Sequence, residues 1–226
     1  MKKIIVVTKN AHKVQEIGQI FPENMARLYS LADIPKNIQI VENGNTFEEN
    51  ALSKNICLLK YAMANGLEPV AGNMEEDCYF LADDSGLEVD ALNGEPGIHS
   101  ARFASPELGL EGNAPDAENN AKLLRLLGNT PDSARTARFK CVLALTPFSA
   151  IYDLEDAILQ TQFFEGACEG RIGNEPQGLK GFGYDPLFIP LGYSDSLATL
   201  GESVKNQISH RSRALEKMVK SLEKSL

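Results

Sequence analysis

Residues 3–8, Lys-Ile-Ile-Val-Val-Thr, limit the possible folds more than any other stretch. The run is short, β-branched and bounded by polar residues, which is the signature of a buried strand. Asn10 follows as a helix cap, and Val14, Ile17, Ile20 and Phe21 recur at helical spacing until Pro22 stops them. A buried strand feeding directly into a helix needs a sheet with helices packed on it. Tyr79-Phe80-Leu81-Ala82 is a second such strand, delivering Asp83-Asp84-Ser85-Gly86 at its end. Leu87, Val89 and Ala91 alternate with polar residues and suggest another strand.

Between these strands, Thr46 and Glu49 have capping-box spacing. They open a helix carrying Ala51, Leu52, Ile56, Leu59, Ala62 and Met63, which ends near Gly66. Residues 31–45 and 70–78 read as loops, and 116–127 as a helix ended by Gly128. Residues 136–146 and 158–165 read as neighbouring long strands. Glycines 166, 170, 173, 178, 181 and 183 punctuate the next stretch, before a short strand at Leu187-Phe188-Ile189. The last helix runs from about Arg211 to Glu223, with its apolar stripe at Ala214, Leu215, Met218, Val219 and Leu222. The expected class is α/β, a mixed sheet with helices on both faces.

The chain has 226 residues, of which 43% are hydrophobic and 23% charged, so it can bury a sizeable core in one large domain or one two-lobed fold. No run approaches the roughly 18 apolar residues of a membrane span, and the N-terminus has no secretory pattern, so a cytoplasmic protein is expected. The net charge of −9 argues against nucleic acid as a partner. A phosphate-bearing ligand would need a local cluster of positive charge or a metal ion. Cys57, Cys78, Cys141 and Cys168 form no C-x-x-C pair and read as free buried thiols.

Five stretches have the composition of a functional site. Thr8-Lys9-Asn10-Ala11-His12-Lys13 lies at a strand end entering a helix, where backbone N–H groups favour an anion. It suits a phosphate chain or a simple solvated cap. Asp83-Asp84-Ser85-Gly86 suits Mg²⁺, a hard cation that takes oxygen ligands, or a polar turn. Strand neighbours face opposite ways, so the two aspartates should have different roles. Glu42 and Glu49 are the candidates for a second carboxylate, although the capping box alone explains the position of Glu49. Gly181-Phe182-Gly183-Tyr184-Asp185-Pro186 lets backbone approach a flat ligand, with Phe182 stacking on a base, or is a glycine-rich turn. Lys205 and Ser209-His210-Arg211 put positive charge at a helix start, against the macrodipole, which suggests an anionic or carbonyl-bearing ligand or a plain Ser209 cap.

Taken together and in this order, these stretches resemble the inosine triphosphate pyrophosphatase family, the XTP/dITP diphosphatases. The most specific signature runs Ala82-Asp83-Asp84-Ser85-Gly86-Leu87-Glu88-Val89-Asp90, followed by Pro96-Gly97 and Ser100-Ala101-Arg102-Phe103. The resemblance covers nearly the whole chain. It implies an elongated mixed β-sheet flanked by helices, with two lobes around a central active-site cleft, as a single domain over 1–226 and a homodimer. It also implies Mg²⁺-dependent hydrolysis of ITP, dITP and XTP to the monophosphate and pyrophosphate. By carry-over, Thr8, Lys9, Asn10, Ala11, His12 and Lys13 grip the phosphates. Asp84 is the metal-binding and proton-accepting residue, with Glu42 or Glu49 beside it. Ser85, Phe182, Gly183, Tyr184, Asp185, Lys205, His210 and Arg211 contact the remainder of the nucleotide. The chain departs from the family pattern at Lys9, at Val204, in the single acidic Glu42 before Gly44, and in a longer loop over 65–78. A pyrophosphatase for modified pyrimidine nucleotides and a catalytically silent nucleotide-binding module are the competing expectations.

Overall fold

A computed structural model describes residues 2–34, 38–67, 78–149 and 153–224. Six strands form one sheet in the order β2-β1-β3-β4-β5-β6. They are β1 (Lys2–Val6), β2 (Ala26–Ser30), β3 (Cys78–Val89), β4 (Thr136–Phe148), β5 (Gln162–Ile172) and β6 (Phe188–Pro190). The helices are α1 (Ala11–Ile20), α2 (Phe47–Asn65), α3 (Ser105–Leu108), α4 (Asp116–Leu127), α5 (Leu154–Leu159), α6 (Leu197–Leu200), α7 (Glu202–Ile208) and α8 (His210–Lys224). β1 pairs in parallel with β2 and with β3, whereas β5 and β6 are antiparallel. The mixed α/β sheet with flanking helices is therefore as expected.

The chain divides into two compact units. The first comprises 1–84, 142–165 and 214–226, and the second 85–141 and 166–213. The core of the first unit sets Ile5, Val7, Phe80, Ala82, Ala144 and Phe148 of the sheet against Ala51, Leu58, Leu59 and Ala62 of α2 and Ala157 of α5. Ile4, Val6 and Leu81, which alternate with these along the strands, are also buried, so both faces of the sheet are covered. The second unit packs Leu87, Val89, Phe139, Ile172, Tyr184, Leu187 and Phe188 against Leu123 and Leu127 of α4.

Local chemistry explains where sequence and structure part. The two strands expected around Asp83 are one, because β3 continues through Gly86. A Cβ there would lie 2.2 Å from the Gly97 carbonyl oxygen, so glycine serves close packing and not a chain break. The strand expected over 158–165 is a correction. Asp153 accepts from the Asp156 N–H at 2.8 Å and starts α5, and the strand begins only at Gln162. β5 then runs through Gly166 and Gly170 to Ile172, since at Gly170 a side chain would meet the Ile189 carbonyl oxygen at 2.4 Å. β2, α6 and α7 are further elements that the sequence pattern does not announce. The loop expected over 70–78 lies outside the described residues, apart from Cys78, which begins β3.

Candidate active site

In the first unit, the chain after β1 turns into α1 through a built cap. Asn10 Oδ1 accepts from the N–H groups of His12 (3.0 Å) and Lys13 (3.2 Å), and Thr8 Oγ1 accepts from the Asn10 N–H at 3.2 Å. The Thr8 hydroxyl proton and the Asn10 NH2 group take no part in this cap. Lys9, Ala11 and His12 are exposed. Lys13 turns inward, and its ammonium bonds the Asp83 carboxylate and, at 3.4 Å, the Asp83 carbonyl oxygen.

The two aspartates hold different lysines, as their alternation in β3 requires. Asp83 is fully buried and pairs with Lys13. Asp84 pairs at 2.7 Å with Lys54 Nζ, which also donates to the Asp83 carbonyl oxygen at 2.9 Å and lies 3.4 Å from Glu42 Oε1. Burial pushes the Asp84 carboxyl above its usual range, and Lys54 and Lys13 pull it back only in part, while Glu42 adds to the rise. Burial works against the charge on Lys54, but Asp84, Glu42 and Asp83 outweigh it and hold its pKa above the ordinary lysine value. Burial at Asp84 and the surrounding carboxylates at Lys54 thus both favour the protonated form.

Lys54 is the residue that sequence reasoning missed. α2 buries Phe47, Asn50, Ala51, Lys54, Asn55, Leu58, Leu59 and Ala62. Three polar residues on an apolar helical face were the available signal. Asn50 Oδ1 accepts from the Gly44 N–H at 2.8 Å, which fixes the turn after Glu42. Glu49 accepts from the Asn45 N–H at 2.6 Å, and its own N–H donates to Thr46 Oγ1 at 3.1 Å. Its carboxylate is therefore engaged in capping α2. Among the described residues, no group of three or more His, Cys, Asp or Glu side chains is arranged to hold a metal. Asp84 and Glu42, already sharing one cation, form a two-carboxylate donor set. That set fits a hard divalent cation whose remaining ligands are phosphate oxygens and water.

The second unit carries the other stretches. Ser85 Oγ accepts from Arg211 Nη2 at 3.1 Å, and Arg211 is 1% exposed. Ser209 caps α8, with its Oγ accepting from the Ser212 N–H at 3.1 Å. His210 and Arg211 are therefore the first residues of that helix and are buried. The His210 ring stacks on Phe139 with centroids 4.9 Å apart. Asp185 is buried and bound on one oxygen by Lys205 Nζ at 2.6 Å and the Phe182 N–H at 3.0 Å. Its carboxylate fastens the 181–185 loop. Lys205 Nζ lies 4.4 Å from the Phe182 ring centroid, a cation–π contact. Tyr184 is buried and its hydroxyl donates to the Ser100 carbonyl oxygen at 2.9 Å. Gly181 has φ +79°, and a Cβ there would lie 2.2 Å from Asp185 Oδ2, so only glycine fits.

The sequence matches the Ham1 family over residues 4–221. It is 42% identical over 223 residues to a dITP/XTP pyrophosphatase of Clostridium perfringens, covering 99% of this chain and 98% of that protein. A dITP/XTP pyrophosphatase of Geobacillus kaustophilus is 41% identical over 218 residues, covering 96% and 93% of the two chains. Among solved structures, the Ham1 protein of Staphylococcus aureus superposes with a TM-score of 0.75 at 33% identity, covering 99% of this chain and all of that one. A HAM1 protein from Coxiella burnetii gives a TM-score of 0.76 at 34% identity, with the same coverage. This chain belongs to the Ham1 family.

Proposed function

We propose that this chain hydrolyses non-standard purine nucleoside triphosphates, namely ITP, dITP and XTP, to the nucleoside monophosphate and pyrophosphate. The observation that carries this reading is Asp84, a buried carboxyl held above its usual range within a lysine-bridged cluster, in a chain alignable end to end with dITP/XTP pyrophosphatases. A carboxylate so placed is a stronger proton acceptor than one free in water. The phosphate-binding role falls to Thr8, Lys9, Asn10, Ala11, His12 and Lys13, with Lys54 added from the geometry. Lys13 and Lys54 offset the charge on the leaving pyrophosphate.

Asp84 and Glu42 are the residues that would hold Mg²⁺, which when bound supplies charge neutralisation and Lewis acidity to the triphosphate. Asp84 accepts the proton of the attacking water as that water approaches the α-phosphorus. Beyond that proton transfer, the chain contributes position and electrostatics.

The base falls to the second unit. Hypoxanthine and xanthine present a 6-keto acceptor, and Arg211 and His210 supply donor groups. Adenine presents a donor at that position and leaves buried donors unpaired, so ATP is rejected. Phe182 offers an aromatic face and Ser85 a hydroxyl already oriented by Arg211. The reading carries with it a single catalytic domain, a homodimer and a cytoplasmic location.

The test is a product assay on ITP, XTP, dITP, GTP, ATP and dUTP, with Mg²⁺ or EDTA, resolving pyrophosphate from orthophosphate. Metal-dependent pyrophosphate release from ITP, XTP and dITP, with ATP and GTP slow, is expected. Release only from pyrimidines would move the chain to the pyrimidine house-cleaning class, and no turnover at all would leave a silent binding module. Asp84→Asn should still bind ITP but lose turnover, and an unchanged rate would remove Asp84 from its role.

A further inference from the structure

Gly183 is gripped on both sides by α4. Its N–H donates to Asp116 Oδ2 at 2.6 Å, and its carbonyl oxygen accepts from Asn120 Nδ2 at 2.9 Å. Asp116 and Asn120 are one helical turn apart, so both project from the same face of α4. α4 has Pro115 at its cap position and no side-chain cap, and the Asp116 carboxylate on its first residue bonds the loop. Asn120 is 7% exposed, and its Oδ1 is buried with no hydrogen-bond partner among the described residues. Leaving a buried acceptor unpaired is unfavourable, and such violations concentrate where function requires them.

Gly183 joins Phe182, whose ring lies 4.4 Å from Lys205 Nζ, to the buried Tyr184. Gly183 has φ +62°, a conformation that fixes both peptide planes once its two polar groups are held. We propose that Asp116 and Asn120 are positioning residues that aim the Phe182–Asp185 loop and thereby set affinity for the purine base. This rests on the reading of that loop as the base-binding segment. The adjacent Asn119 does comparable work elsewhere, bonding the Ala104 N–H at 2.8 Å and the Ala101 carbonyl oxygen at 3.2 Å, and so provides an internal control.

The experiment measures steady-state ITP and GTP hydrolysis and thermal midpoints for the wild type, Asp116→Ala, Asp116→Asn, Asn120→Ala and Asn119→Ala. Asp116→Ala and Asn120→Ala should raise KM for ITP roughly tenfold, with kcat changed less than about twofold, because base contacts act in ground and transition states alike. Asp116→Asn keeps an acceptor for the Gly183 N–H and should restore KM to within about threefold of wild type. Asn119→Ala should lower the thermal midpoint without moving KM. Two results would overturn the proposal: KM unchanged in both Asp116→Ala and Asn120→Ala, or KM shifted equally by Asn119→Ala. A wild-type enzyme that turns over no purine triphosphate would instead remove the functional reading on which the proposal rests.

Discussion

Replacing Lys54 with methionine keeps the aliphatic stem and removes the ammonium that lies 2.7 Å from Asp84, 2.9 Å from the Asp83 carbonyl oxygen and 3.4 Å from Glu42. Lys54 is 4% exposed, so water cannot replace it. Removing one partner of a buried pair costs about 3–5 kcal/mol, because the remaining charge is left uncompensated. With a urea dependence of about 2 kcal/mol/M, the unfolding midpoint should fall by about 2 M at pH 8 in EDTA. The sign of the pH dependence follows from Asp84. Its folded pKa is already raised, and without Lys54 it must rise further. The folded state then binds a proton that the unfolded chain has released, so stability drops as pH rises through that window and returns as pH falls. Lys54 itself, with a raised pKa, stays charged throughout this range in the wild type. The deficit of the variant should therefore be smaller at pH 5.5 than at pH 8. A midpoint loss below about 0.5 M, or an equal loss at both pH values, would refute the assignment of Lys54 as the counter-charge of Asp84.

Two glycines should respond in opposite ways to alanine. Gly86→Ala places a methyl 2.2 Å from the Gly97 carbonyl oxygen, and overpacking of this kind costs about 1–3 kcal/mol, lowering Tm by several degrees. Gly18→Ala adds a methyl in open space within the last turn of α1 and should raise stability by about 0.5–1 kcal/mol, read in the same melting experiment. The cysteines offer a chemical probe. Burial pushes the thiols of Cys78 and Cys168 up to about 11, and Cys141 is buried as well, whereas Cys57 is only half-buried. A thiol-reactive chromogen at pH 8 should label Cys57 alone in the folded protein and all four thiols in urea; rapid labelling of three or four in the folded state would contradict the packing.

The sequence made the α/β class legible because β1 and the middle of β3 are short buried runs, with helical periods in α1, α2 and α8. What it concealed depends on contacts from distant parts of the chain. Gly86 and Gly170 look like breaks by composition, and only the backbone that packs against each shows that the strands continue. The strand expected over 158–165 begins only at Gln162, because Asp153 caps α5 and the helix runs on through Leu159. The site residues carried by adjacency, Asp83 with Asp84 and His210 with Arg211, were visible as pairs. Lys54 was hidden because its partners lie 12, 29 and 30 residues away in the chain, and a lysine on an apolar helical stripe is easily read as a solvated side chain that snorkels. Asp185 was visible as polar, but its bond to Lys205 turns it from a ligand-facing group into the fastener of its own loop.

On the proposed function, the charges gathered in the first unit of this chain of net charge −9 predict that a divalent cation is needed to handle a triphosphate. Asp83, Asp84 and Glu42 face two ammoniums, those of Lys13 and Lys54. The lysines are therefore already committed to carboxylates before any phosphate arrives, and an incoming polyanion competes for cations that are in deficit. In a buried setting such an excess of negative charge is far more costly than in water. Moving the lysines toward phosphate would expose Asp83 and Asp84 to each other unless another positive charge took their place. Asp84 and Glu42 are the residues that would hold a divalent cation, and its charge would offset the imbalance on both sides at once. On this argument chelation should weaken the binding of ITP and not merely its turnover. Equal ITP affinity for Asp84→Asn in EDTA and in Mg²⁺, measured by equilibrium dialysis alongside the wild type, would be compatible with it only if the wild type still lost affinity on chelation.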